Sequence, residues 1–338
     1  MVKPLYLFIV IRGFSVENHQ KIAEEIACIS QLASILEVSS YPKPGTVHRL
    51  YDFKDTKFEH FILSGIAIGP IMKQAALKGF LVAKGKISLQ KVEVGKYIKQ
   101  CVVEAKRWYK GGNTNLGIVT LLVPLTVAAG MFKAEHKKFN KNILCQNVWM
   151  VLKSTTYKDT IHFYEAVKLA KVGGLGKLSI KESVKAPDVT SKKALKEIAR
   201  KKISLYNVMK LCSSWDNLCK EWVTGMHITF NVGFPTIKKV YMETGDLNKA
   251  IVQCFLTILA TYPDSLIARK NGLKTAKKIS ETAKKILKMG GVLTKEGYME
   301  TKKFDVKLRT PDNRLNPGTT ADLTASSIMV SLFSGIKP

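Results

Sequence analysis

Between residues 111 and 132 the chain carries no Asp, Glu, Lys, Arg or His, although charged residues make up 24% of the whole. The stretch opens Gly111-Gly112-Asn113-Thr114-Asn115-Leu116-Gly117 and continues as a mainly apolar run to Phe132. A helix without charge on any face must bury itself all round. A glycine-rich polar turn at its head then leaves unbonded backbone N–H groups and small side chains at the edge of the core. The apolar part, 116–132, sits at the roughly 17-residue minimum for crossing a bilayer, and Thr120, Pro124, Thr126 and Gly130 interrupt it. We therefore read a buried central helix at about 115–132 and expect no membrane span. Pro124 removes one helix hydrogen bond, which predicts a bend there.

With 338 residues and 46% hydrophobic content, the chain can fill a large core, and we expect one helical catalytic domain over 1–338. Lys and Arg number 54 against 26 acidic residues, a net charge of +28. Such a field attracts polyanions, whether nucleic acid, an acidic membrane surface or phosphate-rich small molecules; the plainer reading is a solvated, lysine-rich surface. The cysteines, at 28, 101, 145, 212, 219 and 254, form no C-x-x-C pair. Their scatter argues against a zinc site or a disulfide scaffold and suits a reducing cytoplasm. The apolar run 5–11 is too short for a signal peptide and reads as a packed strand or helix turn.

Apolar residues at helical spacing predict a helix to about Glu37, with Ser15 or Asn18 as its cap, and then helices over 58–80, 89–108, 142–152 and 160–170. Further helices are expected over 203–212, 215–225, 246–260, 276–289 and 319–333, and runs of period two are nearly absent. Gly65 and Gly69 suggest a close helix contact. The class is all-α, with about a dozen helices around the central one. Residues 171–202 carry ten Lys or Arg against three acids together with Gly173-Gly174-Leu175-Gly176, and predict a basic surface loop. That glycine cluster follows no strand and precedes no Lys-Ser/Thr, so it is not a nucleotide fingerprint.

Four polar segments interrupt the helices. The first holds Glu37, Lys43, Pro44, Gly45 and Arg49; an acid in the last turn of a helix is disfavoured by the dipole unless a cation lies near it. The glycine-rich opening with Asn113, Thr114 and Gly117 is the second. In the third, Asp264 precedes Arg269 by five residues. The fourth is Asn316-Pro317-Gly318-Thr319-Thr320-Ala321-Asp322, at the start of the last helix, where an acid is also an ordinary capping feature.

In order and wording, Pro42-Lys43-Pro44-Gly45-Thr46-Val47, Gly112-Asn113-Thr114-Asn115-Leu116-Gly117, Asp264-Ser265…Arg269…Gly272 and Asn316-Pro317-Gly318-Thr319-Thr320-Ala321-Asp322-Leu323 resemble the signature blocks of the triphosphoribosyl-dephospho-coenzyme A synthase family. The resemblance implies an all-helical transferase that joins ATP to 3′-dephospho-coenzyme A and releases adenine, with Mg²⁺ on the triphosphate. It places Asp264 and Asp322 on metal or ribose, with Glu37 as a further catalytic acid. Lys43, Arg49 and Arg269 fall to phosphate, and Gly45, Asn113, Thr114, Gly117, Gly318 and Thr319 to close backbone approach and polar anchoring. Two positions depart from the family pattern: His48 stands where an acid is usual, and Asn115-Leu116-Gly117 where a His-Lys/Arg-Gly run is usual.

Carboxylates suit such a reaction because cationic character develops on the sugar and a hydroxyl must lose its proton. The partners expected are therefore small molecules, ATP and a dephospho-coenzyme A-like acceptor, and a homodimer is compatible with the chain. A Mg-ATP-dependent kinase on another nucleotide-like substrate would use the same residues. The third alternative is a basic nucleic-acid-binding helical protein, but the basic stretches lack interleaved aromatics, which argues against nucleic acid.

Overall fold

A computed structural model describes residues 16–171, 187–189, 191 and 193–337. Every regular element among them is helical, and one isolated bridge, His48 to Tyr51, is the only β-type pairing. The order is α1 (Val16–Ser39), α2 (Phe58–Ala67), α3 (Gly69–Ala83), α4 (Val94–Trp108), α5 (Leu116–Glu135), α6 (Lys141–Lys153), α7 (Tyr157–Ala170) and α8 (Ala194–Lys201). There follow α9 (Leu205–Cys212), α10 (Asn217–Val223), α11 (Phe234–Thr244), α12 (Leu247–Thr261), α13 (Ser265–Asn271), α14 (Leu273–Lys288), α15 (Lys295–Leu308) and α16 (Gly318–Phe333).

The uncharged helix is central. In α5, which is long and apolar enough to cross a membrane, 89% of the most apolar window is buried inside the protein. Helices α3, α6, α16, α1 and α4 surround it. Its contact with α3 is made backbone to backbone. A Cβ added at Gly130 would fall on the Ala76 carbonyl oxygen, and one at Gly79 on that of Val127. The expected pair Gly65 and Gly69 also mark close approaches, but these are to the Ile35 and Gln31 side chains of α1.

Pro124 lies inside α5 without ending it. Its ring supplies no N–H to the carbonyl of Thr120 one turn earlier, which would leave that buried oxygen unpaired. The indole Nε1–H of Trp222, itself fully buried on α10, donates to the Thr120 oxygen at 3.2 Å.

Three expectations from the sequence need correcting. The 58–80 helix is two helices that meet at Ile68, just before Pro70, and the 89–108 helix is a short 3-10 turn followed by α4, broken at Glu93 with φ of 62°. The sequence also gave no sign of α11 or α15, whose partly polar faces dilute the apolar period. Most of the proposed basic loop, 171–202, and the apolar run 5–11 lie outside the described residues; within the loop, Ala194–Lys201 is helix α8, not loop.

Replacing Trp222 by Phe keeps most of the packing but strands the Thr120 carbonyl. The expected loss is about 1–3 kcal/mol of unfolding free energy, read from urea titration as a lower midpoint at unchanged slope. An unchanged midpoint would mean that water or another donor serves that oxygen.

Candidate active site

Because α5 is buried to its first residue, the end of its polar N-terminal turn, Thr114 and Asn115, is buried with it, while Gly111 and Asn113 stay exposed. Lys106 Nζ fixes this turn by donating to the carbonyls of Gly111 and Gly112 at 2.7 and 2.8 Å. Asn113 Oδ1 accepts from the Leu116 N–H at 3.1 Å, and Thr114 Oγ1 lies 2.7 Å from Ser64 Oγ and 2.6 Å from the Tyr109 hydroxyl. Beside the turn opens a cavity of about 290 Å³.

Its walls gather the four separated sequence blocks. Glu37 and Lys43 come from the end of α1 and the loop after it; Asn113, Thr114 and Gly117 from the α5 turn; Arg269 from α13; Gly318, Thr319 and Asp322 from the start of α16. One side is apolar, formed by Phe163, Val167, Val208, Met209 and Leu218. Gly117 leaves room for the Asp322 carboxylate, which a Cβ there would displace.

The charges are unevenly compensated. Lys43, fully buried, donates through Nζ to Glu37 Oε1. This is the cation that an acid at a helix C-terminus calls for. Burial nevertheless raises the Glu37 carboxyl above its ordinary value, with Lys43 opposing. Asp322 is raised well above the ordinary carboxylate range, first by burial and then by the charges of Glu37, Asp264 and Asp216, against which Arg269 pulls it down. Among the described residues no side chain or backbone N–H donates to Asp322. Arg269 Nε, in the same cavity, is buried and has no acceptor, and Asn115 Nδ2 at the head of α5 is likewise buried without one.

Not every expected residue reaches the cavity. Asp264 is fully buried behind the wall; its Oδ1 accepts from the N–H groups of Leu266 and Ile267, and its Oδ2 from the N–H and hydroxyl of Thr320, all at 2.8 to 3.0 Å. It caps α13 and ties it to the first turn of α16. Gly45, at φ of 73°, donates its N–H to Asp305 Oδ1 at 2.8 Å and packs against Leu308. Arg49 is exposed and donates to Asn248 Oδ1 at 2.8 Å. Both hold the loop that carries Lys43.

Two acids were missed. Asp216 caps α10, lines the cavity and accepts from Arg269 Nη1 at 3.4 Å; its signal, an acid just before a helix, is the same as that of Asp264. Asp305, in α15, lies 3.0 Å from His48 Nε2 and accepts from Arg309 Nη2 at 2.6 Å. His48 Nε2 also lies 2.7 Å from Arg309 Nη2, its Nδ1 accepts from the Leu50 N–H at 3.2 Å, and burial lowers the pKa of the ring. An acid thus reaches the position opposite the Lys43 loop from α15.

The cysteines also require a correction. Cys212 and Cys219, expected to be unpaired, form a disulfide with Cα atoms 5.8 Å apart, and both line the cavity. The turn between α9 and α10 folds them together, a proximity that C-x-x-C spacing rules do not detect. Among the described residues no three His, Cys, Asp or Glu converge as a metal-binding group.

The family profile for ATP:dephospho-CoA triphosphoribosyl transferase matches residues 23–337. A Klebsiella pneumoniae 2-(5''-triphosphoribosyl)-3'-dephosphocoenzyme-A synthase is 23% identical over 316 residues, which cover 92% of this chain and 91% of that protein. A crystal structure of an Archaeoglobus fulgidus protein described as a triphosphoribosyl-dephospho-CoA synthase superposes with a TM-score of 0.59 at 30% identity, covering 83% of this chain and 100% of the other.

The raised Asp322 carboxyl has a consequence for stability. Where a folded-state pKa exceeds the unfolded value, the folded protein holds a proton that the unfolded chain has released. Stability is therefore greatest below the ordinary carboxylate pKa and falls as pH rises through the raised one. Asp322→Asn removes this term, so its thermal midpoint should exceed that of the parent at pH 8 and the gap should narrow towards pH 5. A variant less stable than the parent at pH 8 would show that the charge is compensated.

Proposed function

The chain belongs to the ATP:dephospho-CoA triphosphoribosyl transferase family, and from that premise we propose that it transfers the 5-triphosphoribosyl group of ATP to a ribose hydroxyl of 3′-dephospho-CoA with release of adenine. The observation that supports this reading is the coexistence, in one cavity, of a buried arginine Nε without an acceptor and an acid that accepts no hydrogen bond among the described residues. A ligand that is anionic at one end and gains positive charge at the other would answer both.

In this reading Arg269 and the unbonded N–H groups at the start of α5 receive the triphosphate. The sugar lies towards the acids. As the bond from C1′ to adenine breaks, positive charge grows on the ribose ring and nearby carboxylates stabilise it. Glu37 takes the proton of the attacking hydroxyl. Burial raises the pKa of its carboxyl, with Lys43 opposing, and a more basic carboxylate is the better proton acceptor. The apolar side at Phe163, Val167 and Met209 excludes water, which would otherwise compete with the acceptor.

The donor set suits a divalent cation such as Mg²⁺, which is bound by one or two carboxylates together with substrate phosphates and neutralises triphosphate charge. Of the cavity acids, Asp322, which accepts no hydrogen bond among the described residues, would hold it, with Asp216 beside it in the wall. Asp264 does not fit, because its four hydrogen bonds leave no oxygen facing the cavity, and we assign it to positioning α13 and α16.

Incubation with ATP, Mg²⁺ and dephospho-CoA should release adenine in step with a product that retains three phosphates; formation of ADP instead would indicate a kinase. Among variants, Glu37→Gln should lose about 10²–10⁴-fold in turnover while still binding nucleotide. Asp322→Asn should lose Mg²⁺-dependent nucleotide binding. Asp264→Asn should chiefly weaken the fold, by about 0.5–2 kcal/mol. Full activity of both Glu37→Gln and Asp322→Asn would overturn the assignment of roles.

A further inference from the structure

The disulfide lies where a change of its state would be felt by the ligand. It closes the segment 212–219, which carries Trp215 and Asp216 into the cavity wall. Asp216 Oδ1 accepts from the Leu218 N–H at 2.9 Å and the Cys219 N–H at 3.2 Å, and the Asp216 N–H donates to the Cys212 carbonyl at 3.0 Å. The two cysteines thus bracket the acid through its own backbone and cap. Its other oxygen receives Arg269 Nη1. Next along the chain, the Asn217 N–H donates to Ser265 Oγ, and that hydroxyl donates to Thr319 Oγ1. One short segment therefore links the cysteine pair to α13 and to the start of α16.

Access is asymmetric. Cys212 is half-buried and faces the cavity, whereas Cys219 is only 8% exposed. The remaining described thiols are separate: Cys101 and Cys254 are buried, where burial pushes their pKa up, and Cys28 and Cys145 stand outside the cavity walls.

We propose that Cys212 and Cys219 are a reversible thiol–disulfide modification site in the wall of the substrate cavity, and that its state sets the affinity for the phosphate end of the nucleotide through Asp216 and Arg269. The exchange partner is a small-molecule disulfide such as oxidised glutathione. The Cys212 thiolate attacks one sulfur of that disulfide, which forms a mixed disulfide and expels one thiol. The Cys219 thiolate then attacks Cys212 Sγ, the protein disulfide forms, and the second thiol leaves. Two protein thiols are oxidised, one small-molecule disulfide is reduced to two thiols, and the two protons pass to those thiols. A dithiol reverses the sequence. Intracellular disulfides of this sort are more often regulatory than structural.

The affinity effect rests on the proposed nucleotide site; formation of the bond does not. The full-length protein is equilibrated in glutathione buffers from reduced to oxidised, its thiols are trapped by alkylation and located by mass spectrometry, and the Kd for Mg²⁺-ATP is measured by calorimetry alongside adenine release. The expected result is alkylation of Cys212 and Cys219 lost together on oxidation, and a Kd about fivefold or more weaker in the reduced protein. The Cys212→Ser/Cys219→Ser variant, its helicity checked by circular dichroism, should bind like the reduced parent and ignore the buffer. A Cys28→Ser variant should respond as the parent does. Equal Kd values in both states, failure of the pair to oxidise, or a double variant that still responds would each overturn the proposal. Absence of adenine release in both states, with the thiol-dependent Kd retained, would sink the reaction assignment and support the cysteine site.

Discussion

The structure depends on the burial of a helix that carries no charge until its last turn. Because α5 has no solvated face, its first N–H groups lie beyond the exposed Gly111 and Asn113 at the edge of the core, where they need partners. The Asp322 carboxylate lies against the same turn, so close that a side chain at residue 117 would displace it. Fold and site are joined at this contact. The close packing of α3 on α5 at Gly79 and Gly130 fixes the helix, and the helix fixes the turn.

Around this point the polar groups divide into those already satisfied and those left open. Asp264, with four donors, and Asp305, with Gly45, His48 and Arg309, are complete; they hold α13, α16 and the Lys43 loop in register. Asp322, Arg269 Nε and Asn115 Nδ2 are not. Buried polar groups lacking partners are costly, and natural proteins keep few of them. Of the buried polar atoms without a partner, Arg269 Nε and Asn316 Oδ1 belong to residues of the cavity wall, where giving up stability is a common cost of function.

How far the sequence revealed this differs from residue to residue. The central helix was legible because an absence of charge over so long a stretch has few structural outcomes. The four blocks were legible as a set, and nine of the residues named from them do line the cavity. Asp264 misled because an acid before a short helix looks alike whether it caps that helix or faces a ligand; only the position of Thr320, 56 residues on, separates the two. Asp305 and the cysteine pair carried no local signal, since their partners are made by tertiary packing and by a turn between two short helices. Arg49 and Gly45 lie near the cavity-lining Lys43 in sequence but do not themselves line the cavity.

The central claim is that the start of α5, Arg269 and the acids at 37, 216 and 322 surround one nucleotide. A crystal structure of the full chain soaked with Mg²⁺ and a non-hydrolysable ATP analogue tests it most directly. The account predicts phosphate oxygens within hydrogen-bonding distance of Arg269 and of the α5 N–H groups, with the sugar turned towards Glu37 and Asp322. A nucleotide bound elsewhere on the protein, with this cavity unchanged, would contradict it.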